Sequence, residues 1–181
     1  LHIFKVDGTE FNDNYPLRLE GTTRDGAGVG EFAFLLWPAV WPLSVGDLDQ
    51  DGNLEIIITN SEGGAIVVKL NGEKQVFSHS SLSGKSLMGS IVANMDSDIE
   101  MEIITSVSST PAIKIVAWNH DGAIVNGFPM DASEEGENMA GLLSVNDIDL
   151  DGDLELIVGS MSIENPFSPS SASLNVIDLV G

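Results

Sequence analysis

The chain has 181 residues, 43% of them hydrophobic, with a mean hydropathy of +0.14, which is long and apolar enough to close a core and excludes a disordered chain. Its 28 acidic residues against 7 basic ones give a formal charge of -21, which repels nucleic acid and anionic lipid. Cysteine is absent, so there is neither a disulfide framework nor a thiolate metal site, and the redox compartment cannot be read.

In chain order, "LHIFKVDG" (1–8) alternates apolar and polar residues and runs into a turn glycine, the pattern of a half-buried strand. A chain starting within a strand, with no signal peptide, is expected to be a processed or trimmed piece of something longer. "NYPLRL" (14–19) and an insertion containing "GTTRDGAGVGEF" follow. The most apolar stretch, "FAFLLWPAVWPLSVG" (32–46), is too short to span a bilayer and carries Pro38 and Pro42, so no membrane insertion is expected.

Next comes "VGDLDQDGNLEIIITN" (45–60), an acidic loop that turns directly into a β-branched run. It returns as "VANMDSDIEMEIITSV" (92–107) and "VNDIDLDGDLELIVGS" (145–160). The alternating strand returns as "AIVVKLNG" (65–72), "IKIVAWNHDG" (113–122) and "LNVIDLVG" (174–181). Anchors at 47, 94 and 147 set intervals of 47 and 53 residues, a period that belongs to propeller blades and solenoids. Each unit reads as strand, acidic loop, apolar strand, turn, alternating strand, turn and short strand, a four-stranded antiparallel meander. The runs after the loops are about 6 residues long and rich in Ile and Val, which suits buried strands rather than helices. A second insertion, "MSIENPFSPSSAS" (161–173), is expected to be a surface loop like the first.

The expected fold is all-β: β-propeller-type four-stranded antiparallel blades, about three repeats (units near 1–72, 73–122 and 123–181) forming a portion of a larger propeller. Closed propellers typically have roughly 4 to 8 blades. Further blades or a partner chain are therefore expected to cover the end strands, whose open edges would otherwise invite aggregation.

The acidic segments hold 13 of the 28 acidic residues, so the excess charge is concentrated where a cation could gather it. Calcium takes about 6 to 8 oxygen ligands. In "DLDQDGNLE", Asp47, Asp49 and Asp51 occupy positions 1, 3 and 5, Gly52 permits the positive φ that turns the chain, and the Asn53 carbonyl with the Glu55 carboxylate can close the shell. Asp147, Asp149, Asp151, Gly152, Asp153 and Glu155 repeat this. In the middle loop Asp96 and Asp98 remain, but Asn94 replaces the first Asp and Ile99 the glycine, where a left-handed β-branched residue costs about 1–2 kcal/mol. Two Ca2+ sites are expected, with the middle loop as a third candidate. An EF-hand is excluded because its twelfth position, a bidentate Glu, is Ile58 or Val158 here and no amphipathic helix follows.

Strand, D-x-D-x-D-G-x-x-(D/E) and β-rich strand at a period near 50 resembles the FG-GAP (VCBS-type) repeat of the integrin α-subunit propeller and of many secreted bacterial proteins. "NGFPM" (126–130) and "NYPLRL" resemble the Gly-aromatic-Pro turn of bacterial relatives. The sequence departs from the family in lacking a literal Phe-Gly-Gly-Ala-Pro tag ("SEGGAI" at 61–66 is the nearest approach), in Glu at position 9 and in the degenerate middle loop. The resemblance implies a secreted or cell-surface module that uses structural calcium and serves recognition or adhesion of a protein or glycan ligand, without catalysis. Extracellular localisation also follows from the roughly 10⁻⁴–10⁻³ M affinities of extracellular calcium modules, since cytosolic calcium would leave such loops empty.

Two alternatives stand beside it: part of a secreted polysaccharide lyase or hydrolase, with a site near Trp37, Trp41 and the 161–173 insertion, or an architectural module beside a catalytic domain. Trp118 reads as structural. His2, His79 and His120 form no triad or zinc pattern, and no phosphate-binding, dinucleotide or nucleophile-elbow motif occurs.

Overall fold

The structure, a computed structural model, describes residues 1–17, 43–59, 64–82, 87–96, 98–109, 111–133, 136–137, 139–165 and 168–178. Trp37 and Trp41 lie outside them. Eleven strands occur, with one turn of 3-10 helix at Ser80–Leu82 and no α-helix among the described residues. β1 (Leu43–Gly46), β2 (Glu55–Thr59), β3 (Gly64–Lys69) and β4 (Lys74–Ser78) form the first sheet, in that order. β5 (Leu87–Ala93), β6 (Glu102–Val107), β7 (Lys114–Trp118) and β8 (Met130–Asp131) form the second in the same order. β9 (Met139–Asn146), β10 (Glu155–Asn165) and β11 (Ser168–Asp178) form a third. Each is an antiparallel meander, so the all-β reading holds, and no sheet closes on itself.

The sheets stack in chain order because the central strands are apolar on both faces. In β6 every residue is buried. By strand alternation, Ile103 and Val107 point to a core shared with Leu48, Ile57, Val67 and Phe77 of the first unit, whereas Ile104 points to a core shared with Leu156 and Val158 of the third. β7 divides likewise, with Val116 and Trp118 on one side and Ile115 and Ala117 on the other. A sheet covered on both faces explains why Ile103 and Ile104 stand side by side in β6 instead of alternating with exposed polar residues, and why Thr105 and Ser106 are buried as well. The outer face of the first sheet (Ile56, Ile58, Ile66, Val68) is covered by Leu1, Ile3, Leu17 and Leu70. On β11, Leu174 and Val176 are exposed.

The first strands of the three sheets lie side by side, which brings the acidic loops that follow them to one region. Ser44 and Ser90 share a hydroxyl hydrogen bond of 2.6 Å, and the Ser106 hydroxyl donates to the Gly141 carbonyl at 2.7 Å. Met101 N–H donates to the Leu48 carbonyl at 3.0 Å, joining the first loop to the second. Within the third unit, the Ser160 and Ser173 hydroxyls of β10 and β11 both donate to the buried Glu137 carboxylate, which precedes β9.

Two expectations are corrected. "LHIFKVDG" is not a sheet strand: it turns back on itself, with one bridge between Phe4 and Glu10 and Phe11 N–H donating to the Ile3 carbonyl. Its alternation has another cause, since Leu1 and Ile3 pack onto β2 and β3. The 161–173 insertion is not a free loop. Outside residues 166 and 167, which are not among the described ones, it lengthens β10 and β11, which pair through Met161↔Ala172 and Ser162↔Ser171 with the register shifting at Ile163, so the ladder takes up backbone groups that a loop would leave to water.

A repeated turn follows the third strand. Lys69 and Glu73 close it in the first sheet, and Asn119 and Ala123 in the second, with Gly72 and Gly122 at φ of 90° and 88°. A Cβ on Gly122 would lie 2.7 Å from Phe77 Cδ1, so this glycine serves both the turn and the contact between sheets. Gly122→Ala is expected to cost about 2–3 kcal/mol in urea unfolding, through a strained φ and overpacking together. Phe77→Leu in the same chain should recover part of that loss, because it opens the space the methyl needs.

Candidate metal centres

Each acidic loop joins the first strand of its sheet to the second, and its conformation comes from its own side chains. Asp47 Oδ2 accepts Gly52 N–H at 3.0 Å, and Asp147 Oδ2 accepts Gly152 N–H at 3.1 Å, drawing the loop around its first residue. Asp49 Oδ1 accepts Asp51 N–H and Asp149 Oδ1 accepts Asp151 N–H, each at 3.3 Å. Gly52 and Gly152 have φ of 87° and 105°, as the spacing requires. Gln50 and Leu150, at position 4, are also left-handed, with φ of 55° and 66°, a second turning point that residue type did not announce.

The glutamate at position 9 opens the second strand and is buried in all three loops. Its Oε2 accepts the N–H of position 2: Leu48 to Glu55 at 2.9 Å, Met95 to Glu102 at 2.6 Å and Ile148 to Glu155 at 2.6 Å. This bond fixes the carboxylate under the loop. Oxygens of Asp47, Asp49 and Glu55 lie within 4.8 Å of one another, as do those of Asp96, Asp98 and Glu102, and of Asp147, Asp149 and Glu155.

Among the expected carboxylate ligands, Asp51, Asp151 and Asp153 lie outside these groups. The carboxylates of Asp51 and Asp151 instead accept the N–H of Asn53 and Asp153, at 2.8 and 3.0 Å. Glu102 joins Asp96 and Asp98 in the middle group, a ligand not expected from the loop motif there and signalled only by its alignment with Glu55 and Glu155 at position 9. The middle loop turns differently. Asn94 Nδ2 donates to the Asp98 carbonyl at 2.7 Å, and Ile99 avoids the left-handed region, so the strain expected there is not incurred.

Charge and burial leave these loops one step short of balance. Asp47 Oδ1, Glu55 Oε1, Glu102 Oε1 and Asp147 Oδ1 are buried with no hydrogen-bond partner among the described residues. Unmet buried carboxylate oxygens beside further carboxylates are costly unless a cation meets them. This donor set, all oxygen and anionic, fits a hard divalent ion and no soft one. Burial pushes Glu55 and Glu102 above the usual carboxylate range, with neighbouring aspartates adding to it; the Leu48 N–H and the Lys69 charge oppose it at Glu55, and the N–H groups of Met95 and of Glu102 itself at Glu102. Asp98 is raised too, by desolvation and then by Asp96 and Glu100. Asp49 moves down, because Lys69 Nζ lies 2.9 Å from its Oδ2. A cleft of about 650 Å3 opens beside the first loop, lined by Asp49, Glu55, Lys69, Phe77 and His120. His2 and His79 pair locally with Glu10 and Ser81.

The shifts have a signed consequence. A carboxyl whose folded pKa is raised contributes stability below its unfolded pKa and loses it as pH rises through the folded value. In EGTA, the contribution of Glu55 and Glu102 is therefore expected to decline from about pH 4.5 upward. Melting curves between pH 4.5 and 7 check it: Glu55→Gln and Glu102→Gln together should flatten the profile in this window.

Comparison with protein-family models, with curated proteins and with solved structures finds no match to this chain.

Proposed function

We propose that the chain is a calcium-binding portion of an FG-GAP-type β-propeller, secreted or displayed at a cell surface, that serves recognition or adhesion and carries out no chemistry of its own. The observation that carries the metal reading is the threefold convergence of two aspartates and a buried glutamate, with oxygens within 4.8 Å and several of them unpartnered. Asp47, Asp49 and Glu55 would hold one ion, and Asp147, Asp149 and Glu155 a second. Asp96, Asp98 and Glu102 offer a third, poorer set that lacks the first aspartate. The bound ion would supply charge balance to the crowded carboxylates, and the chain supplies the rest: glutamates anchored to the strand, and loops curved by their own Asx-type hydrogen bonds.

The propeller reading is supported by the meander order of the sheets, their face-to-face stacking and the adjacency of β1, β5 and β9. The recognition role and the extracellular setting rest on the resemblance of the loop motif and on the weak calcium affinity of open acidic loops of this kind. Thermal melting in millimolar calcium against EGTA tests the proposal at its base, and a melting temperature indifferent to calcium overturns it.

A further inference from the structure

The residue across the strand pair from the position-9 glutamate differs in charge from unit to unit. Glu55 pairs with Lys69 in the first sheet and Glu155 with Asp178 in the third. In the second, one step beyond Ile103↔Trp118 puts Asn119 opposite Glu102. The equivalent positions therefore carry a cation, a neutral amide and an anion. The cation is engaged with the site itself, since Lys69 Nζ lies 2.9 Å from Asp49 Oδ2 while Asp49 Oδ1 takes Asp51 N–H. Both oxygens of this aspartate are thus committed. No such ammonium pairs with Asp149 among the described residues, where Oδ1 takes the matching Asp151 N–H.

We infer that Lys69 is a built-in counter-cation of the first loop, competing with a divalent ion for Asp49, so that this loop binds calcium more weakly than the third. The inference rests on the calcium reading above. An ion coordinated by Asp49 would sit within a few ångströms of the ammonium, so filling the loop requires the lysine to leave or the two cations to repel. Lys69 has somewhere to go: its four-carbon stem rises from the end of β3 at the wall of the open cleft, where it can turn its head toward water. Without metal the same ion pair offsets part of the repulsion among Asp49, Asp51 and Glu55, which holds the first loop in its folded form. The third loop has the opposite constitution: no ammonium pairs with Asp149 among the described residues, and Asp153 stands where the first loop has the neutral Asn53. The first loop is then the ion-sparing site of the pair, and the third the one that fills first.

The test is calorimetric titration of the whole chain with calcium in a background of Asp96→Asn and Asp149→Asn, which leaves the first loop as the site read. Lys69→Met is expected to tighten binding about tenfold, equivalent to about 1.4 kcal/mol. It should also lower the melting temperature in EGTA, and Lys69→Arg should keep the parental affinity. A merely structural lysine would give the reverse, since its loss would loosen the loop and weaken binding. Affinity in Lys69→Met that is unchanged or weaker, with calcium still bound, overturns this inference alone. Absence of binding to both the doubly substituted chain and its Lys69→Met form overturns this inference, and absence of binding to the unsubstituted chain as well overturns the calcium reading with it. Should the doubly substituted background not fold, Lys69→Met in the otherwise unaltered chain gives the answer: the separation between the tighter and weaker sites must narrow, and a separation that stays or widens overturns the inference.

Discussion

Calcium at a hundredfold excess over its Kd raises the melting temperature of the metal-stripped chain by roughly 10–20 °C. Each filled site contributes about 2.7 kcal/mol by mass action. A chain of this length moves about 2–4 °C per kcal/mol. Two filled sites therefore produce a shift that scanning calorimetry reads without difficulty. The effect is large because the apo loops begin from a poor state. Glu55 and Glu102 are buried carboxylates with an unpartnered oxygen, and Asp47 and Asp147 each bury one as well. Asp149→Ala and Asp49→Ala should each remove about half of the rise, by eliminating one member of one triad. Magnesium should give a smaller shift, since its near-octahedral demand and retained waters suit a loop of curved carboxylates less well. Equal melting in calcium and in EGTA, or full calcium response in both alanine variants, would falsify the structural role assigned to the ion.

Trp118→Ala is expected to cost about 3–5 kcal/mol in urea unfolding, the largest loss from any single core substitution in the middle sheet. Trp118 is fully buried at the end of β7, opposite Ile103, and fills the space between the first and second sheets against Leu48, Ile57, Phe77 and Leu82. Truncation leaves a cavity that strands on both sides, held in register by their ladders, cannot collapse to fill. The indole Nε1 has no hydrogen-bond partner among the described residues although it is buried. Trp118→Phe removes that unmet donor while keeping an aromatic ring, so its cost should stay below about 1.5 kcal/mol. Comparable losses in the two variants would mean that the nitrogen, and not the ring volume, matters at this position.

Much of the fold was legible because its signals are local. "LEIIIT", "MEIITS" and "LELIVG" read as buried strands from Ile and Val density, and they are β2, β6 and the first half of β10. The turn glycines at 72 and 122 read as turns and adopt positive φ. What misled the reading was also local. "LHIFKVDG" has the alternation of a strand, but alternation reports only that one side is apolar, and here that side is met by packing onto the first sheet instead of by pairing within one. The 161–173 stretch is rich in Ser and Pro and reads as a loop, yet a long hairpin can extend through such residues when two arms of equal length run antiparallel.

The acidic loops divide in the same way. By itself the amino-acid order determined their positions, their aspartate spacing, the left-handed glycines at 52 and 152 and the different turn of the middle copy, since each depends on neighbours within a few residues. The tertiary structure decided which oxygens converge. It buried Glu55, Glu102 and Glu155 beneath their loops, which brought Glu102 into the middle group. It also set Lys69, Asn119 and Asp178 at equivalent places opposite the three glutamates. The convergence depends on burial at the mouth of each strand and the opposing residues on cross-strand register, which joins positions 14 to 23 apart; both are fixed only when the sheet forms.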